Sequence, residues 1–131
     1  MSRAERRLRG WLLATGAMYA LGAVDFLARP RAAAASLSGF GERIEPEDPP
    51  GLFNSLASAY MATIAALSLG AAAAPDEHRE LIPPLLVAKA TSSAALLYRY
   101  ERTRKLGFAV AAALDALLFG VTAGLSAAAD R

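Results

Sequence analysis

Two ionisable residues stand where a charge is most expensive, and they define the chemistry open to this chain. Lys89 is the only charge in the 18-residue apolar run Leu81–Tyr98, and Asp115 the only one in the 24-residue run Leu106–Ala129. A carboxylate and an ammonium isolated in this way can neutralise each other, exchange a proton, or hold a ligand's charge. Their spacing favours contact. Lys89 lies thirteen residues before Arg102 and Asp115 thirteen after it. If the two runs form an antiparallel helical hairpin about that point, both residues lie at one depth, roughly 20 Å of helix rise from the apex. Measured from the edges of the basic turn Arg99–Lys105, the depth is about 15 Å, near the middle of a bilayer. A lone Lys or Asp there costs about 2.5–3.5 kcal/mol, so each must face inward and find a partner or lose its charge. The expectation is that Lys89 and Asp115 touch. A structural ion pair fixing helix register, a proton- or ligand-linked site, and no contact at all (Lys89 snorkelling, Asp115 neutral) remain as readings.

The elements that must position this pair are membrane spans. Apolar runs cover residues 11–28, 52–74, 81–98 and 106–129, each long enough to cross a hydrocarbon core as a helix. The expected fold is all-α, a single transmembrane four-helix bundle over residues 1–131. The chain is 55% hydrophobic with a mean hydropathy of +0.31, and its 20% charged residues cluster between the runs. A soluble Ala-rich bundle would need a charged face on every helix, yet Asn54–Ala74 carries no charge on any face. Net charge is +2, too small to imply nucleic acid. The basic residues flank the spans, where lipid headgroups are their partners. With no cysteine, disulfides, thiolate chemistry and Cys-based metal sites are excluded. No cofactor and no metal site are expected.

The connections carry the remaining candidates. Met1–Gly10 holds four arginines before Trp11, a residue suited to the interface. A signal peptide would begin similarly, but the run is long for a signal core and contains Asp25. Asp25 and Arg29 share a helix face and form an expected local pair. Residues 29–51 make the longest connection, with a short interfacial helix after Pro30 as one reading. Its acids Glu42, Glu45, Glu47 and Asp48 read as a solvated loop. Asp76 is an expected N-cap of the third span, and Pro83 and Pro84 suit that span's first turn. His78, beside Asp76, Glu77 and Glu80, reads as an exposed loop histidine.

Small residues recur every four positions on two spans: Ser58, Ala62, Ala66 and Gly70 on the second, Ala112, Ala116, Gly120 and Gly124 on the fourth. Lipid offers no hydrophobic reason for helices to associate, so close packing at small faces must do it. Both ridges are expected at helix–helix contacts, within the bundle or between protomers. The positive-inside count is tied. With the N-terminus inside, six basic residues fall inside and seven outside, and dual topology is an alternative. In either orientation Asp25, Arg29, Asn54 and Arg99 gather at one end of the bundle. A pocket, if present, is expected to have its mouth there and its floor at Lys89 and Asp115.

The layout resembles the small four-helix bacterial membrane proteins of the DoxX-like families. The corresponding residues are Gly22, Pro30, Gly39, Asn54 and Tyr60, with Asp115 as the late Asp of the last span; where those families often carry an Arg between the Asn and the Tyr, this chain has Ala57. The resemblance implies a bacterial cytoplasmic membrane and no settled activity. No nucleophile–base pair, phosphate loop or nucleotide signature is present. The expected function is a non-catalytic membrane module that binds a lipid, an apolar small molecule or a membrane-protein partner, including a second copy of itself. Its alternatives are a small proton-linked transporter and a membrane enzyme acting on a lipid or quinone.

Overall fold

The computed structural model describes residues 1–30, 32–33 and 52–130, without the side chains of 52–54. Four long helices account for nearly all of it: α1 (Arg3–Ala28), α2 (Leu52–Ala73), α3 (Ile82–Thr103) and α4 (Leu106–Ala129). Each is long and apolar enough to cross a membrane, and the chain is an integral membrane four-helix bundle.

Local chemistry sets most of the helix ends. α1 starts eight residues before its apolar run because Ser2 and Glu5 form a capping box: the Ser2 hydroxyl accepts from the Glu5 N–H at 3.1 Å, and the Glu5 carboxylate accepts from the Ser2 N–H at 2.5 Å. It ends at Arg29, after which Pro30, Ala32 and Ala33 are helical again. The rest of the interfacial helix expected after Pro30, and the acidic stretch at 42–48, lie outside the described residues. α2 closes where the Ala74 carbonyl accepts the N–H groups of Glu77 and His78. A 3₁₀ turn at Arg79–Leu81 then leads into α3. Asp76 sits in the turn before it and is not the cap; α3 has no side-chain cap, and Pro83 and Pro84 occupy the first turn, where no amide donor is needed. α3 runs on to Thr103 and stops at Arg104, whose φ of 56° is left-handed. The hairpin turn is therefore only Arg104–Lys105.

The helices run up-down-up-down. α1 packs along α2 and α3 along α4, α1 meets α4 on a narrower front, and α2 meets α3 on a narrower one still. The α1–α2 approach depends on missing side chains. A Cβ on Gly16 would lie 2.7 Å from the Leu69 side chain, and one on Gly22 2.8 Å from the Met61 sulfur. The core cluster of Leu8, Leu12, Ile64, Ala71, Ala72, Ile82 and Leu85 fills the half of the bundle nearest the described chain ends. Leu21, Leu27, Leu56, Val87 and Leu117 point outward, while Thr15, Ser68, Lys89, Asp115 and Thr122 are buried. This arrangement, with large apolar side chains outside and buried polar ones within the core, suits a lipid solvent and would be costly in water.

The four-residue ridges do not form the seams within this chain. Ala62, Ala66, Ala116, Gly120 and Gly124 are exposed, and a Cβ on either Gly120 or Gly124 would meet nothing within 4 Å. Ser58, Gly70 and Ala112 do reach neighbours: the Ser58 hydroxyl donates to the Ala23 carbonyl at 2.8 Å, a Cβ on Gly70 would lie 2.9 Å from Leu81, and Ala112 is buried. The reason is geometric. A step of four residues advances about 40° beyond a full turn, so three steps drift about 120° around the helix. The packed face mixes steps of three and four, as in Ala65, Ser68 and Ala72 on α2 and Ala112, Asp115, Leu118 and Thr122 on α4.

Gly16→Val should therefore destabilise the detergent-solubilised monomer by about 1–3 kcal/mol through overpacking. Gly124→Val should leave its thermal melting unchanged or slightly raised. The reverse order would place the seams incorrectly.

Candidate functional site

Each helix presents one residue to the bundle's midsection by keeping its own inward face. On α1 that face is Leu8, Leu12, Thr15, Tyr19, Ala23 and Phe26. On α3 it is Ile82, Leu85 and Lys89, and on α4 it carries Asp115. The register of the α3–α4 hairpin sets Lys89 and Asp115 level. The Ser93 hydroxyl donates to the Ala112 carbonyl at 2.9 Å, one turn nearer the hairpin tip and centred on almost the same point.

Lys89 is 2% exposed and Asp115 6%. The Lys89 Nζ lies 3.0 Å from Asp115 Oδ1 and donates to it. The Tyr19 hydroxyl donates to the same Oδ1 at 2.8 Å and also accepts from Lys89 Nζ. Three side chains from three helices thus close a triangle of hydrogen bonds. The ammonium also lies 3.6 Å from the centre of the Tyr19 ring and 5.3 Å from that of Tyr60 on α2, so all four helices meet around it. The negative ring faces favour the cation. The unit carries no net charge when Lys89 and Asp115 are both ionised, which is what a low-dielectric environment demands.

Toward the described chain ends the triangle is sealed. The Trp11 indole donates to the Thr122 hydroxyl at 2.9 Å, joining α1 to α4. Beyond it Arg79 donates to the Ala129 carbonyl at 3.3 Å and pairs with Asp130, fastening the 3₁₀ turn to the end of α4. Among the described residues, Ser68 Oγ is the one fully buried side-chain polar atom with no partner.

The other expected site residues are not drawn into this cluster. Asp25 and Arg29 pair with each other, at 2.5 and 2.7 Å, on the exposed end of α1. They border a recess of about 510 Å³ whose lining among the described residues is Leu21, Gly22, Val24, Asp25, Ala28 and Arg29, on or at the end of α1. Arg99 is exposed on α3 and does not line it, and the Asn54 side chain lies outside the described residues. Of the expected pocket mouth, the described residues show the Asp25–Arg29 pair, in which Asp25 finds its cation one turn away on its own helix. His78 Nδ1 is 3.6 Å from a Glu80 carboxylate oxygen, and no group of three or more metal-ligating side chains occurs among the described residues.

Tyr19 is the member that sequence reasoning missed. The signal was present: Tyr19 is central in the run 11–28, and it is the only tyrosine there. Tyr60 drew notice only through a family resemblance, yet its ring walls one side of the cation.

No protein-family model matches the chain, and no curated protein or solved structure matches it.

Replacing Tyr19 with Phe removes a hydroxyl that serves both charges and should cost about 1–3 kcal/mol. Tyr60→Phe removes a hydroxyl that serves no charge, donating to the Ala88 carbonyl at 3.2 Å with Ser92 beside it, and should cost less, about 0.5–1.5 kcal/mol. Thermal melting of both variants in detergent checks the order.

Proposed function

We propose that this chain is a non-catalytic integral membrane module whose buried charge triangle holds the helices in register while its outer surface binds a lipid, an apolar small molecule or a membrane-protein partner, including a second copy of itself. The observation that carries the reading is that Lys89, Asp115 and Tyr19 satisfy one another. Lys89 donates to Tyr19 and Asp115 of the same chain, and neither the recess beside Asp25 nor the one beside Tyr60 is lined by Lys89 or Asp115. A relay or acid–base site would need one member to reach water or substrate. A bacterial cytoplasmic membrane and a place among the DoxX-like proteins are part of the same proposal, supported by Gly22, Pro30, Asn54, Tyr60 and Asp115 in the sequence.

A proton-linked transporter is the second reading, favoured by the placement of two ionisable residues near mid-span. The two readings separate on proton movement. Proteoliposomes holding wild-type chain and Asp115→Asn, with an imposed pH gradient and a trapped pH dye, should leak protons at the same rate as protein-free vesicles. A protein-dependent flux that Asp115→Asn abolishes would replace the module with the transporter.

A further inference from the structure

The narrow α2–α3 seam of the bundle holds its most distinctive recess. Between α2 and α3 lies a cavity of about 380 Å³, open to the side and lined by Tyr60, Ala88, Thr91, Ser92 and Ala95. The four α3 residues follow the spacing i, i+3, i+4, i+7 and therefore form one continuous helix face. That face is small and shallow, and the Tyr60 ring stands against it as a wall. Tyr60 is fixed there by its hydroxyl, which donates across the seam to the Ala88 carbonyl. Ser92 approaches the same hydroxyl. Behind the ring lies Lys89 Nζ, 5.3 Å from its centre. Tyr60 is thus the partition between a lipid-facing recess and the buried charge triangle.

The recess lies near the middle of α3, at the depth of the triangle, where neither water nor lipid headgroups supply hydrogen-bond partners. Exposed threonines elsewhere in the chain turn inward to their own backbone: Thr63 donates to the Ala59 carbonyl at 2.9 Å and Thr103 to that of Arg99 at 2.8 Å. Thr91 is exposed on the wall of the recess and makes no such bond among the described residues. It leaves a donor for an incoming acceptor. No unpaired charge faces the recess, because Lys89 is paired with Asp115 and also donates to Tyr19.

We infer that the recess is a lateral binding site for a neutral, membrane-dissolved lipophile carrying a single hydroxyl or carbonyl oxygen. The oxygen accepts from Thr91, and the chain lies along the Ala88–Ala95 face against Tyr60. A glycerophospholipid is disfavoured, since its ester and phosphate oxygens stay at the interface. This inference rests on the proposed binding function and names its site and ligand class.

The test uses the full chain in nanodiscs with a photoreactive long-chain alcohol bearing a diazirine. Hexadecanol and hexadecane, which differ only in the oxygen, serve as competitors, and labelled peptides are mapped by mass spectrometry. The inference predicts labels concentrated around Tyr60 and residues 88–95 and displaced by hexadecanol but not by hexadecane. Thr91→Val should weaken the labelling roughly five- to tenfold, as loss of one hydrogen bond does. Ala95→Leu, which fills the recess without touching the charge triangle, should abolish it. Labels spread evenly over the lipid-facing surfaces, or equal displacement by both competitors, would overturn the site. A label concentrated elsewhere and displaced by hexadecanol would overturn this site while leaving the binding function standing. No saturable labelling, with no lipid co-purifying in fixed ratio, would overturn both.

Discussion

A charge in the middle of a hydrocarbon layer must be cancelled within a few ångströms, and most of this structure can be understood as the means of doing so. Lys89 on α3 and Asp115 on α4 cancel each other at 3.0 Å, and Tyr19 on α1 completes the hydrogen bonding. The pair itself is a weak source of stability, because desolvating two ions offsets much of their attraction. It is a strong source of specificity. A slip of the α3–α4 hairpin by one residue would leave two uncompensated charges in the membrane interior. Shape-based packing of Ala-rich helices discriminates poorly between neighbouring registers, and the charge pair removes that ambiguity.

The triangle also divides the bundle. On one side, toward the described chain ends, Leu8, Leu12, Ile82 and Leu85 pack tightly, with Trp11–Thr122 and Arg79–Asp130 holding the helix ends. On the α2–α3 side the contact is light, and the Tyr60 ring, 5.3 Å from the cation, lines the lateral recess. Tight packing and the lateral recess thus lie on different seams, and neither Lys89 nor Asp115 lines that recess. The outward faces of α4, with Gly120 and Gly124, remain open to lipid or to another protein.

The fold was largely legible from the sequence, and for a clear reason. Unbroken apolar runs mark spans without any need to know what they pack against, and α4 coincides with its run at Leu106–Ala129. The ends of α1 and α3 were less legible, since the Ser2–Glu5 capping box and the left-handed Arg104 extend or stop a helix through local bonds that hydropathy does not register. The depth of Lys89 and Asp115 followed from counting residues about the basic turn. Tyr19 did not, because its role depends on the rotation of α1 about its axis, and an Ala-rich helix shows only a faint inward face. The small-residue ridges misled for the same reason: a strict period of four marks no single face over three turns. Asp25 and Arg29 were visible as a pair, but the larger cluster inferred around them required contacts between helices that spacing alone does not specify.

The most direct test of the register claim is a double-mutant cycle on the buried pair, read as unfolding free energy in detergent for Lys89→Met, Asp115→Leu and the two combined. Each single change should cost about 3–5 kcal/mol by leaving one charge unpaired, and the double variant should recover most of that loss. Additive losses, or singles that scarcely differ from wild type, would mean that Lys89 and Asp115 do not hold each other in the folded membrane protein.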